Sequence, residues 1–174
     1  MSLADIQNSI RNVPDFPKPG IQFKDITTAI KRPEILKEIL DTMATHFKSQ
    51  KIDYVVGIES RGFIFGTALA YLLGCGFVPI RKPGKLPAEV ISQAYALEYG
   101  TDRIEMHKDA LKKGDRVLIV DDLLATGGTA AAAAALITRT GAEIAAFAFV
   151  IELADLGGKQ VLEKYAEVCS LLQY

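Results

Sequence analysis

No excess of charge of either sign is present in this sequence: 20 basic residues are set against 21 acidic ones, for a formal net charge of −1. Without an overall positive field nothing draws the chain to nucleic acid or to an anionic membrane, and any anion site must be local. Cysteine is scarce. Cys75 and Cys169 lie in apolar stretches and form no CxxC pattern, which favours buried thiols in a reducing compartment over a disulfide framework. The two histidines, His46 and His107, stand far apart, and neither is assigned a metal or catalytic role. Neither the GxxxxGK of a P-loop nor the GxGxxG of a dinucleotide site occurs. A membrane-length apolar run is also missing. From Gly62 to Ile80 there is no charge, a stretch close to the ~20 residues that cross a bilayer, but Gly62, Gly66, Gly74, Gly76 and Pro79 divide it. A buried helix, a turn and a short strand fit that pattern better. Met1 to Val13 lacks the basic start and apolar run of a signal peptide, so the expectation is a cytoplasmic chain with neither a membrane nor a nucleic-acid partner.

What is present is a substantial apolar fraction, 49% of 174 residues, enough for one well-filled core and too little chain for two ordinary domains. Residues 1–174 are therefore read as a single domain. Ile35, Leu36, Ile39, Leu40, Met43 and Phe47 recur at helical spacing behind Pro33, predicting an amphipathic helix from Pro33 to Phe47. An apolar strand follows at Tyr54 to Ile58, then a helix near Phe63 to Leu73 stopped by Gly74, then a strand at Phe77 to Ile80. The alternation resumes with a strand at Val117 to Val120, a helix from Thr129 to Arg139 closed near Gly141, and a strand from Ile144 to Ile151. A helix around Lys159 to Tyr165 and an extended Glu167 to Leu172 complete the chain. Strands apolar on both faces, separated by helices, predict an α/β fold with a parallel sheet flanked by helices. Between Ile80 and Val117 the pattern breaks into a basic stretch, an alternating ribbon around Ile91 to Tyr99 and a charged segment from Gly100 to Gly114. Such an excursion from a compact core suits a lid or binding element.

The strongest chemical signal runs from Val117 to Thr129, where a buried strand ends in Asp121-Asp122 and a loop, Ala125-Thr126-Gly127-Gly128-Thr129, opens a helix. Ligands of open α/β sheets bind beyond the carboxyl ends of the strands. Glycines let backbone approach a phosphate, the first N–H groups of a helix are unpaired donors, and threonine hydroxyls add more. Asp121 and Asp122 repel a phosphate but suit the vicinal hydroxyls of a ribose. A plain acidic helix cap would explain one aspartate and leave the second, and the glycine pair, without a reason. Gly57 to Gly62 is a second strand-to-helix turn, in which Arg61 offers a planar fork for diphosphate oxygens. Taken alone, that turn could also carry a solvent-facing arginine. The basic cluster Arg81, Lys82 and Lys85 could be a solvated surface, Glu98 a solvated charge, and Phe23 a core residue.

The Val117 to Thr129 segment resembles the phosphoribosyl diphosphate signature of type I phosphoribosyltransferases. Further stretches, Asp15 to Thr27, Glu59 to Phe63, Arg81 to Pro87, Leu97 to Gly100 and Ser170 to Tyr174, resemble in order the adenine-specific branch of that family. The resemblance implies a type I phosphoribosyltransferase fold, with residues 1–32 as a small N-terminal hood and residues 90–114 as a flexible β-ribbon lid. It implies adenine and phosphoribosyl diphosphate as substrates, AMP and diphosphate as products, Mg²⁺ held mainly by the substrate rather than by direct protein ligands, and a homodimer. By the same resemblance Asp121, Asp122 and Ala125 to Thr129 hold ribose and 5′-phosphate, while Glu59, Ser60, Arg61, Arg81, Lys82 and Lys85 serve the diphosphate. Glu59-Ser60 would be a cis peptide, Gln22, Phe23 and Arg61 would bind adenine, and Glu98 would be the general acid/base at the N7 side of the base. The signature specifies the donor better than the acceptor. An enzyme for a 6-oxopurine or for orotate is the nearest alternative, and a non-catalytic sensor of phosphoribosyl diphosphate a more distant one.

Overall fold

The computed structural model describes residues 2–96 and 100–174. Its centre is a five-stranded, all-parallel sheet in the order β4-β3-β7-β8-β9. The strands are β3 (Tyr54–Ile58), β4 (Gly76–Ile80), β7 (Arg116–Leu124), β8 (Glu143–Glu152) and β9 (Glu167–Gln173). Crossover connections, the helices Gly62–Leu73, Gly128–Thr140 and Gly158–Leu162 among them, keep the strands parallel, and because helices cover both faces the strands are apolar on both. Along β7 the side chains alternate between the two cores: Val117 and Ile119 pack on one side, Leu118 and Val120 on the other.

On the first side lies helix α5 (Gly128–Thr140). Its alanine run buries Ala130, Ala132, Ala133 and Ala134, so a strong helix former without a long side chain sits close against the sheet. Helix α6 (Gly158–Leu162) adds Leu162. On the second side α3 (Pro33–Phe47) buries Ile35, Ile39, Met43 and Phe47, beside α4 (Gly62–Leu73) with Phe65 and Leu69. The uncharged stretch from Gly62 to Ile80 is thereby divided between α4 and β4. Among the described residues, no helix is long and apolar enough to cross a membrane.

Three segments differ from the sequence-based expectation. The first residues form helix α1 (Leu3–Ser9), capped by Ser2, whose side chain accepts from the Asp5 amide while Asp5 bonds back to the Ser2 amide. That reciprocal cap fixes a short helix whose apolar pattern is otherwise too brief to notice. Strand β7 continues through both aspartates to Leu124, because β8 keeps pairing alongside, Asp121 opposite Phe149 and Leu124 opposite Glu152. Neighbouring-strand pairing overrides the poor strand propensity of aspartate. The segment read as charged from Gly100 to Gly114 begins with strand β6 (Thr101–His107), antiparallel to β5 (Val90–Ala96). Ile104 and Met106 alternate with its charges and are buried in the first core, so the far half of this ribbon is anchored.

At the other end of the chain, β1 (Arg11–Pro14) and β2 (Gln22–Asp25) form a separate hairpin followed by the single-turn helix α2 (Thr27–Ile30). Asp25 ties it down. The Thr27 hydroxyl donates to it at 2.6 Å, the Arg11 Nε at 3.1 Å and the Thr27 amide at 2.9 Å, and these bonds hold its carboxyl down to about 2, from an ordinary 3.8. A carboxyl depressed in the folded state stabilises above its unfolded value and loses that contribution as pH falls through the folded one. Asp25→Asn is expected to cost on the order of 1 kcal/mol at neutral pH, the Arg11 part being screened by solvent, or about 2–4 °C in Tm. Thermal melts across pH should show the gap to wild type closing between 3.8 and about 2.

Candidate active site

The strand order makes a switch point. From β3 the chain steps outward to β4, then returns to lay β7 on the opposite flank of β3. Crevices of this kind, at carboxyl ends where the order reverses, are where open α/β sheets take ligands. At the end of β7 stand Asp121, Asp122 and the loop 125–129. At the end of β3, one strand away, stands the Glu59-Ser60-Arg61 turn. Residues separated by some sixty positions are thus neighbours.

The loop after β7 is concave, enclosing about 100 Å³ between Asp121, Leu123, Leu124, Ala125, Thr126, Gly127, Gly128, Thr129, Ala130 and Phe149. Gly127 caps α5 with φ 83°, a left-handed conformation that other residues adopt at a cost. The first intrahelical bond runs from the Ala131 amide to the Gly127 carbonyl at 2.9 Å. The amides ahead of it at the helix start therefore have no intrahelical partner and are available to an anion. Of the residues expected here from the sequence, Asp121 and Ala125 to Thr129 line this cradle, and Asp122 does not.

Asp122 is 3% exposed and accepts a short hydrogen bond from the Arg61 Nε. Burial works against the charge of the Arg61 guanidinium, and the bond to Asp122 more than offsets it, leaving its pKa raised. Asp121 is in the opposite situation. Burial first, and the Asp122 charge second, push its carboxyl well above the ordinary 3.8, although the Asp122 amide donates to it at 2.8 Å. Positive charge arriving in the cradle would favour its ionised form. The Arg61 guanidinium also lies 5.8 Å from the centroid of the Phe23 ring, which meets Phe16 edge-on at 5.1 Å. Phe23 is only partly buried, so it offers a ring face instead of filling a core. Gln22, beside it on β2, is exposed and accepts from the Asn12 side chain at 2.6 Å.

The turn after β3 has a cis peptide at Glu59-Ser60. The side chain of Glu59 is 12% exposed and gathers the basic stretch after β4. It accepts from the Lys85 Nζ at 2.6 Å and from the Lys82 amide at 2.9 Å, and the Arg81 Nε lies 3.4 Å away. Burial raises its pKa, but Lys85 and Lys82 outweigh that and the net direction is down. The Lys82 Nζ meets Asp102 of β6 and donates to the Tyr95 hydroxyl of β5 at 3.1 Å. The three cations are thus brought together, each facing an acidic side chain. Asp102 and Tyr95 escaped the sequence reading; they face one another across the ribbon register, which follows only once the two strands are paired. Glu98 lies outside the described residues.

A concave loop at a helix start and an arginine-bearing turn, on adjoining parallel strands with two aspartates beside them, suit a phosphorylated sugar as ligand. In agreement, residues 27–173 match the phosphoribosyl transferase domain. The adenine phosphoribosyltransferase of Cyanothece sp. is 63% identical over 91% of this chain and 93% of its own length. The solved adenine phosphoribosyltransferase of Thermoanaerobacter pseudethanolicus superposes with a TM-score of 0.96 at 48% identity, covering 99% of this chain and all of the other. That of Saccharomyces cerevisiae, solved with an imino-altritol bisphosphate and adenine, gives 0.93 at 42% identity, covering 98% of each chain. The chain belongs to the adenine phosphoribosyltransferase family, glycosyltransferases of purine salvage that form AMP.

Proposed function

We propose that adenine N9 displaces diphosphate from C1′ of phosphoribosyl diphosphate in the crevice between the ends of β3 and β7. The observation that carries this reading is the placement of the 125–129 cradle and the Glu59-Ser60-Arg61 turn on adjacent strands, with Asp121 and Asp122 between them. The cradle takes the 5′-phosphate through main-chain amides and the hydroxyls of Thr126 and Thr129. Asp121 and Asp122 accept from the ribose hydroxyls and lie near the sugar as it gains positive character. Arg61, Arg81, Lys82 and Lys85, with the Ser60 turn, stabilise the departing diphosphate, and Glu59 holds Arg81 and Lys85 in place for it. Phe23 stacks the purine while Arg61 and Gln22 border it. The N9–C1′ bond forms, the C1′–O bond to diphosphate breaks, and the N9 proton passes to Glu98, directly or through the N7 side.

Among the described residues no group of three or more His, Cys, Asp or Glu could cage a cation. A site of one or two carboxylates completed by substrate phosphates suits Mg²⁺ well; Asp121 lines the cradle and is not the acceptor for Arg61, so the residues fit an ion held mainly by the donor. When bound, Mg²⁺ supplies charge neutralisation at the leaving group. Closure of the ribbon excursion over the crevice would exclude water from the activated sugar. A homodimer is supported by an apolar groove between α3 and α4, lined by Leu36, Leu40, Ala68, Tyr71 and Leu72, with Tyr71 86% exposed. A reducing, cytoplasmic setting is supported by the free thiols of Cys75 and Cys169, both raised in pKa by burial. That the yeast relative was solved with adenine supports adenine as the base. The test is diphosphate release from phosphoribosyl diphosphate and Mg²⁺ with each nucleobase in turn. Release is expected with adenine; equal release with hypoxanthine or orotate would overturn the assignment of the base.

A further inference from the structure

The phosphate loop does not hold its shape alone. After β8 the chain makes a 3₁₀ turn at Ala154–Leu156 and enters α6 at Gly158, directly beneath the loop. A Cβ on Gly158 would lie 2.2 Å from the Ala125 carbonyl oxygen, 2.9 Å from Leu124 Cδ1 and 3.0 Å from the Gly127 amide nitrogen. The contact is reciprocal: a Cβ on Gly127 would lie 2.9 Å from the Gly158 carbonyl oxygen and 3.2 Å from its Cα. Two of the three atoms facing Gly158 are backbone, which cannot rotate aside as a side chain can. The Leu153 amide also donates to the Leu124 carbonyl at 2.9 Å, so the loop's entry is bonded to the same connection.

We infer that Gly158 is a positioning residue for the phosphate site: its bare Cα is the floor on which Ala125 to Gly127 rest, and it sets where the loop amides meet the 5′-phosphate. This rests on the reading that loop 125–129 takes that phosphate. Gly158 itself touches no substrate. Any side chain there must lift the Ala125 carbonyl and the Gly127 amide toward the cradle, and anion recognition by fixed amides is steep in distance.

The neighbouring glycine supplies the control. Gly157 has φ 69°, so alanine there is strained, yet its Cβ would meet only Gln160 Oε1, at 3.6 Å. Both Gly157→Ala and Gly158→Ala burden the same turn, and only the second presses on the loop. Titration calorimetry with AMP is expected to show Gly158→Ala binding about 10- to 100-fold more weakly, the scale of a misplacement near 1 Å. Inorganic diphosphate, which meets the other turn, should bind both variants within about twofold of wild type, and Gly157→Ala should bind AMP as wild type does, since nothing it adds reaches the loop. The KM for phosphoribosyl diphosphate should rise with the AMP dissociation constant in Gly158→Ala. Wild-type AMP affinity in Gly158→Ala, or equal weakening by Gly157→Ala, would overturn the inference. A paired Thr126→Ala, Thr129→Ala variant separates the two layers: if it loses AMP affinity and Gly158→Ala does not, the positioning role alone fails; if neither loses it, the phosphate-loop reading fails. Should Gly158→Ala not fold, hydrogen exchange on the wild type decides. Saturating AMP should slow residues 158–160 together with 125–129, and unchanged exchange at 158–160 would sink the proposal.

Discussion

Glu98→Gln is expected to lower turnover by about 10²–10⁴-fold, the usual contribution of a positioned general base, or about 3–5 kcal/mol of barrier. Glutamine keeps the size and one acceptor of glutamate but cannot take the proton that adenine sheds when N9 becomes bonded. Binding of phosphoribosyl diphosphate should persist, because the contacts proposed for the donor lie in the cradle, the aspartates and the cations. The pattern sought in steady-state kinetics and calorimetry is therefore a fallen kcat with a retained donor affinity. Unchanged turnover would remove Glu98 from the reaction, and a lost donor affinity would make it a binding residue instead.

The aspartate pair should respond unequally to amidation. Asp122→Asn exchanges an ionic acceptor for a neutral one at the ribose and at Arg61, and a charged hydrogen bond contributes about 1.5–3 kcal/mol. A loss of roughly 10- to 100-fold in donor affinity follows. Asp121→Asn should also slow the reaction, while stabilising the fold near neutrality. Because the folded Asp121 carboxyl titrates well above 3.8, the native state binds that proton more tightly than the unfolded chain does. Its favourable contribution is present below the unfolded value and disappears as pH rises toward the folded one. An uncharged amide escapes that loss, so the Tm of Asp121→Asn should exceed that of wild type near neutrality, with the gap shrinking as pH falls toward 4. Melts and activity measured together check both halves. A lower Tm with wild-type donor affinity would mean that Asp121 serves the fold and not the sugar.

Much of the site was legible in linear order. Asp121 to Thr129 is a local unit: strand, acids, glycine loop and helix start occupy consecutive positions, so spacing alone exposes it. The helix Pro33–Phe47 and the strand Tyr54–Ile58 were read with the bounds observed, since period and punctuation coincide there. Resemblance to the family extended the reading to residues with no local signature, such as Phe23 and the cis Glu59-Ser60 peptide. Asp102 was not legible, because its role as the partner of Lys82 depends on ribbon register. The length of β7 was missed for a similar reason, since pairing with β8 holds the aspartates in strand conformation.

Hydrophobic period, glycine and proline placement, and one compact loop were enough to dictate a parallel α/β fold with a glycine loop opening a helix at a strand end. These are properties of near neighbours along the chain, and they survive in one dimension. Three-dimensional packing alone decided that Arg61 would lean on Asp122, that Glu59 would gather Arg81 and Lys85, and that Gly158 would lie under Ala125. Those pairings join positions far apart in sequence, and only the strand order β4-β3-β7-β8-β9 brings their carboxyl ends, and hence their charges and backbones, to one edge.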